Sequence, residues 1–319
     1  MSTFKDRQQL FDQLLSHRKR KLVTLITSTK KPEPQFSTQI AQDILPIFYK
    51  ILKQGTGGRE LDLILHSSGG QIDTPWPLIN LVREYCDDLR VIVPWRAHSA
   101  ATLVCLGANA IEMGPLSSLS PIDPQFQLKL GDKKEVVGAG IEDIYGYYML
   151  VQEKLELDAQ GRAEALRVLA NRISPEILGK ISRTRREIHI IAKNLLRLHL
   201  TDEDVMEKIV SNLVEELPSH QYMINRNEAT ALGLPVVYMD QETEVTSFKI
   251  LDSYRDEVKM DEPGVSVNFG SGETIKVIEM SRAFVETRDR SFAFRSQYTF
   301  YPDGKVERKA DQWKEVTPK

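Results

Sequence analysis

Cysteine is nearly absent from this 319-residue chain, which has only Cys86 and Cys105. Far apart and set in apolar surroundings, the two argue against a disulfide framework or a thiolate zinc site and read as reduced core residues. Histidine is sparse as well, six residues with no HExxH-type spacing, so no metal centre and no cofactor are expected. No apolar run approaches the length of a membrane span. The amphipathic N-terminal stretch through Phe4, Leu10, Phe11, Leu14 and Leu15 lacks the unbroken apolar core of a secretory signal. A soluble cytoplasmic chain is therefore the expectation. Nor is there an excess of charge of one sign: a net −3 gives no general attraction to nucleic acid or anionic lipid. The basic cluster from His17 to Lys21 reads as a solvated helix end.

What the chain does have is apolar residues, 41% of the total, enough to bury a full core and a second small unit. Leu22 to Ile26 reads as a first strand, Ser37 to Leu52 as a helix, Leu61 to Leu65 as the next strand, and Arg90 to Pro94 as another. Alternation of strand and helix predicts an α/β chain around a mostly parallel sheet. From Ile141 to Glu216 the pattern turns helical, with stripes through Leu155, Leu166, Ile177, Ile181, Ile188, Ile191, Leu195 and Leu196. Such an arm suits oligomer contacts. Beyond about Asp240 the alternating segments "IKVIEM", "FAFRSQYTFY" and "KVERKADQW", with a Pro302-Asp303-Gly304 turn, predict a small antiparallel sheet. The division read is 1–239 for the main unit and 240–319 for a β-rich extension able to bind a regulatory partner.

Chemistry concentrates in two turns. In "VIVPWRAHSAATLVCLGANA" a serine, Ser99, follows an apolar strand and opens a small-residue helix. A serine there projects its hydroxyl out of the sheet, beside helix amides that have no intrahelical partner. An ordinary helix N-cap is the other reading of the same residue. In "LDLILHSSGGQID" the pair Gly69-Gly70 ends a buried strand and can present amides in a concave turn. A glycine turn about thirty residues before a turn serine, each closing a buried strand, is far more specific than either alone.

Together with "SPIDPQ" and the later "SHQYMIN", these segments resemble the serine dehydrogenase proteinase family over roughly Leu22 to Val237. That family is related to the Clp protease proteolytic subunit and signal peptide peptidase A. The resemblance implies a ClpP/crotonase-like fold and a cofactor-independent serine peptidase working on peptides or unfolded segments as a homo-oligomer. It implies Ser99 as nucleophile, Asp123 as orienting carboxylate and His220 as base, with the amides of Gly69, Gly70 and Ala100 as the oxyanion site. The chain departs from the family at Ser67-Ser68, at Ala100-Ala101 and in the "SHQYMIN" segment. Alternatives stay open: Lys133, Lys134 or Lys193 as the base of a serine-lysine dyad, a crotonase-like acyl-CoA enzyme, or an inactive binding protein on the same fold. His66 and His98 are expected near the site.

Overall fold

A computed structural model describes residues 4–29, 38–54, 59–129, 136–155, 157–217, 219, 221–258, 260, 267–270 and 272–316. The chain opens with α1 (Phe4–Arg18) and β1 (Lys21–Thr27), then α2 (Leu45–Gln54), β2 (Glu60–His66), α3 (Pro75–Arg83) and β3 (Asp88–Val93). The short β4 (Arg96–Ala97) leads into α4 (Ala100–Leu106), followed by β5 (Ala110–Met113) and β6 (Ser118–Leu119). A hairpin, β7 (Gln125–Lys129) and β8 (Val136–Gly140), feeds the helical arm α5 (Ile141–Met149), α6 (Ala159–Arg172), α7 (Pro175–Leu196) and α8 (Glu203–Ser211). The chain then runs through α9 (Arg226–Ala231), β9 (Val236–Tyr238) and α10 (Gln241–Tyr254) to β10 (Lys276–Glu286), β11 (Ser291–Phe300) and β12 (Val306–Val316).

The eight strands of the central sheet run β12-β11-β10-β1-β2-β3-β5-β9. From β1 to β9 every pairing is parallel, and β10 to β12 add antiparallel strands beyond β1. The protein is thus mixed α/β with a mostly parallel sheet. The central parallel strands β1, β2 and β3 are buried on both faces along most of their length, which is why they are mainly apolar. Successive residues still divide by face: Val23, Leu25, Leu61, Leu63, Leu65, Val91 and Val93 pack with α2, α3, α4 and α7. Leu22, Ile26, Ile64 and Ile92 meet α1 and α10 on the other side. The sheet is a two-sided core.

The α1 face carries charge into that core. Asp62, 1% exposed, sits between Arg18 and Arg20, with Arg20 Nε donating to Asp62 Oδ1 at 2.6 Å. Arg18 also donates to both Glu112 carboxylate oxygens, at 2.9 and 2.6 Å. The basic cluster read as a solvated helix end is therefore corrected. Its arginines are enclosed because they face the buried acids Asp62 of β2 and Glu112 of β5 and the half-buried Asp88 of β3, whereas His17 and Lys19 are exposed.

The C-terminal strands are held as firmly. Arg7, 1% exposed, makes a two-pronged contact to Glu286, Nε to Oε2 at 2.9 Å and Nη2 to Oε1 at 3.0 Å. Tyr254 of α10 donates to Glu286 Oε2 at 2.6 Å, and Ser291 donates to Oε1 at 2.6 Å. Every lone-pair direction of that carboxylate faces a donor. First helix, last helix and C-terminal hairpin thus meet at one buried anion.

Candidate active site

β2 and β3 end together at the same edge of the sheet, and the chain leaving each of them builds a second, shorter ladder. Ser67 pairs with Ala97, β4 pairs with β6, and Leu119 pairs with Ile224. His98 donates its amide to the Ser67 carbonyl at 3.0 Å, and Ser67 donates to the Arg96 carbonyl at 3.0 Å. The turn at Ser99 is gripped from both sides.

Ser99 occupies the N-cap position of α4 with φ +53° and ψ −117°, a region L-residues avoid. Its hydroxyl caps nothing. The contrast lies within the same chain. Asp158, Asp202, Asn225 and Asp240 start their helices at ordinary negative φ, and each accepts an amide of the first turn. A plain cap would look like those four. Ser99 instead carries about 1–3 kcal/mol of backbone strain and leaves its hydroxyl out of the cap.

Neighbouring polar groups hold that strain in place. The Ser99 amide donates to Ser120 Oγ at 2.8 Å, and Ser120 Oγ donates in turn to the Pro121 carbonyl at 3.0 Å. Thr102 Oγ1 reaches the Ala97 carbonyl at 2.9 Å and accepts from the Ser120 amide at 3.2 Å. Ser120 and Thr102 escaped the sequence reading. The polar run "SSLS" before Pro121 was the signal for them.

Gly69 passes directly under the elbow. A Cβ there would lie 2.8 Å from both the His98 carbonyl oxygen and Ser99 Cβ, and its φ of +108° independently calls for glycine. Its amide is engaged, donating to Ser67 Oγ at 3.0 Å. The part Gly69 plays in this geometry is close approach. Gly70 lies against Ile40, where a Cβ would sit 2.1 Å from the Ile40 oxygen. Hydrogen bonds among the described residues leave the amides of Gly70 and Ala100 without an acceptor. One of these amides belongs to each turn, that of Gly70 to the glycine turn and that of Ala100 to the first residue of α4.

Asp123, 7% exposed, lies on the segment after β6, where its Oδ1 accepts from the Glu142 amide at 3.3 Å. Burial raises its carboxyl above the usual aspartate range, opposed by the Glu142 and Ile141 amides at the start of α5. A cavity of about 840 Å³ opens beside it, walled by α5, α7 and the chain around Val214 to Gln221. Ser219 and Gln221 line that cavity, whereas His220 falls outside the described residues. Lys133 and Lys134 fall outside them too. Lys193 is on α7 and forms an ion pair with Glu207 of α8. At that end of α7, His199 bonds to the Leu106 carbonyl at the far end of α4 from Ser99.

His98 points its Nε2 at Ser118 Oγ, 2.9 Å away. His66 is fully buried, stacked on Trp95 with ring centroids 5.4 Å apart, and its Nδ1 accepts from the Arg96 amide at 3.4 Å. Desolvation first, and Arg96, His98 and Arg255 after it, push the imidazole down to about 3. Because the unfolded chain takes up a proton near pH 6.5 and the folded one does not until about 3, stability falls as pH drops through that window. Against a His66→Phe variant, the wild type should lose about 1.4 kcal/mol more per pH unit between those limits. Parallel urea-denaturation curves over that range would refute it.

Cys86 and Cys105 are buried free thiols. Among the described residues no helix is long and apolar enough to cross a membrane.

No family model matches the chain. It is 24% identical over 203 residues to an uncharacterized protein of Methanocaldococcus jannaschii, a match covering 63% of this chain and 60% of the relative. The chain thus spans about three-fifths of the length of that relative. Among solved structures it is similar to ClpP1 from Listeria monocytogenes at 13% identity, covering 74% of this chain and 98% of that one with a TM-score of 0.39.

Proposed function

We propose that the protein is a serine peptidase acting on peptides or unfolded protein segments, with Ser99 as the nucleophile. The observation that carries the reading is the strained Ser99 turn, whose hydroxyl makes no cap bond, closely approached by the glycine turn at Gly69, with the Gly70 and Ala100 amides lacking an acceptor among the described residues. In this reading the Ser99 Oγ attacks the peptide carbonyl, and its proton passes to His220 and then to the leaving amine. Negative charge developing on the carbonyl oxygen is met by the Gly70 and Ala100 amides, fixed before reaction and therefore free of reorganisation cost. Asp123 holds the imidazole tautomer, and water releases the acyl group by the same path in reverse. In this reading the cavity of about 840 Å³ lined by Asp123 receives the peptide flanking the scissile bond.

A fluorophosphonate probe tests this directly. It should label the wild type on Ser99, identified by tryptic mass spectrometry, and leave Ser99→Ala unlabelled. Labelling that survives the substitution would refute the assignment.

The reading includes assembly through the helical arm. Helix α6, of 14 residues, buries none of them in the single chain. Tyr148, Met149, Leu150, Leu166, Val168 and Ile190 stand exposed on the same arm. A soluble chain rarely leaves so much apolar surface uncovered. Light scattering on a sizing column should give an oligomer, and Leu166→Asp combined with Ile190→Asp should shift it towards monomer with the melting temperature nearly unchanged. A monomeric wild type at micromolar concentration would remove this part of the proposal.

A further inference from the structure

A cavity of about 460 Å³ lies between the segment Thr38 to Asp43 and the C-terminal strands, apart from the Asp123 cleft. One wall is mainly cationic. Arg282, 4% exposed, donates from Nε to Ser296 Oγ at 2.7 Å and pairs with Asp311 at 3.3 Å, and Arg308 pairs with the same Asp311 oxygen at 3.3 Å. Asp43 lines the cavity too, its Oδ2 accepting from the Trp313 indole at 3.1 Å. Between these charges Phe294 and Trp313 present tilted rings 5.3 Å apart.

Thr38 lines the same cavity and is 8% exposed. We propose that this cavity binds an aromatic amino acid or a short peptide bearing one, its carboxylate towards Arg308 and Arg282, its ammonium at Asp43 and its ring on Phe294 and Trp313. Opposed charges about an aromatic floor match a zwitterion, and neither a plain anion nor a plain cation would use both ends.

The cavity touches the turn that carries Gly70. Ile40 donates to the Gly69 carbonyl at 2.9 Å and accepts from the Gln71 amide at 2.8 Å, and Gln71 lines the cavity. An occupant therefore braces the oxyanion turn from behind. That regulatory consequence rests on the peptidase reading, whereas the binding does not.

Calorimetry on the full chain with L-phenylalanine, L-phenylalaninamide and 3-phenylpropionate separates the two ends of the ligand. Phenylalanine should bind about tenfold or more tightly than either analogue, since each lacks one charged contact. Asp43→Asn, which keeps an acceptor for Trp313, should lower phenylalanine affinity to about that of 3-phenylpropionate and leave the latter unchanged. Should that variant not fold, Arg308→Met probes the other end and should abolish the advantage over phenylalaninamide. Hydrogen exchange at the Gln71 amide should slow when phenylalanine is bound. Absence of binding at millimolar phenylalanine, equal affinity for all three compounds, or indifference to the substitution would overturn the proposal. Binding without exchange protection at Gln71 would overturn the coupling alone.

Discussion

Ser99→Gly is expected to make the protein more stable and, on the proposed peptidase reading, to abolish peptide hydrolysis in the same step. Glycine accepts φ +53°, ψ −117° at little cost, so releasing the serine from it should return about 1–2 kcal/mol, a rise of about 2–4 °C in melting temperature. Ser99→Ala keeps the Cβ and the strain, and should melt close to wild type. Both variants should lose turnover by roughly four to six orders of magnitude, because a triad without its nucleophile retains only what binding and the oxyanion site provide. The pair separates two meanings of the strain. If Ser99→Gly is no more stable than Ser99→Ala, the elbow is not strained; if either variant hydrolyses peptides at the wild-type rate, Ser99 is not the nucleophile.

The second large effect concerns stability rather than chemistry. Arg7→Met should cost about 3–5 kcal/mol, since it strips Glu286 of a buried guanidinium and leaves a charge with no water to turn to. Adding Glu286→Gln to Arg7→Met should recover a substantial part of that loss, because the stranded charge goes with it. Urea denaturation measures both. A single variant within about 1 kcal/mol of wild type would show that the buried pair does not hold the two chain ends together.

Much of the fold can be read from the sequence because burial on both faces writes itself as unbroken apolar runs. Leu61 to Leu65 and Leu22 to Ile26 fall within β2 and β1, and the segment feeding Ser99 falls in β3. The alternation in "IKVIEM" and "FAFRSQYTFY" likewise marks β10 and β11. What alternation cannot carry is the identity of the neighbour. Nothing in residues 276–286 says that they pair with β1, because that choice is made by Glu286 and Phe284 meeting Thr24 and Ile26 across the register. Helix α10 went unread although Asp240, three residues before Thr243, carries its cap. The helix read from Ser37 to Leu52 begins in fact only near Gln42, because Ile40 is spent on pairing with Gly70. Arg18 and Arg20 looked solvated because their partners, Asp62, Asp88 and Glu112, come from three different strands.

At the site, both turns were legible from their small residues, and their closeness was a sound inference from two strands ending in glycine and serine. The polar lock was not. Ser120 and Thr102 act by bonding to the backbone across the turn, and such bonds leave no periodic trace in a sequence.

The pairing of β1 with β10 also sets a schedule. Arg7 and Glu286 are 279 residues apart, so a chain made at cellular rates waits roughly 15–55 s between synthesising the first partner and the second. Through that interval β1 lacks its β10 neighbour and Arg7 lacks Glu286. The parallel core that carries Ser99 is held from that flank by β10. Until residues 276–286 have been made, the Ser99 elbow therefore rests on a core with one side still uncovered.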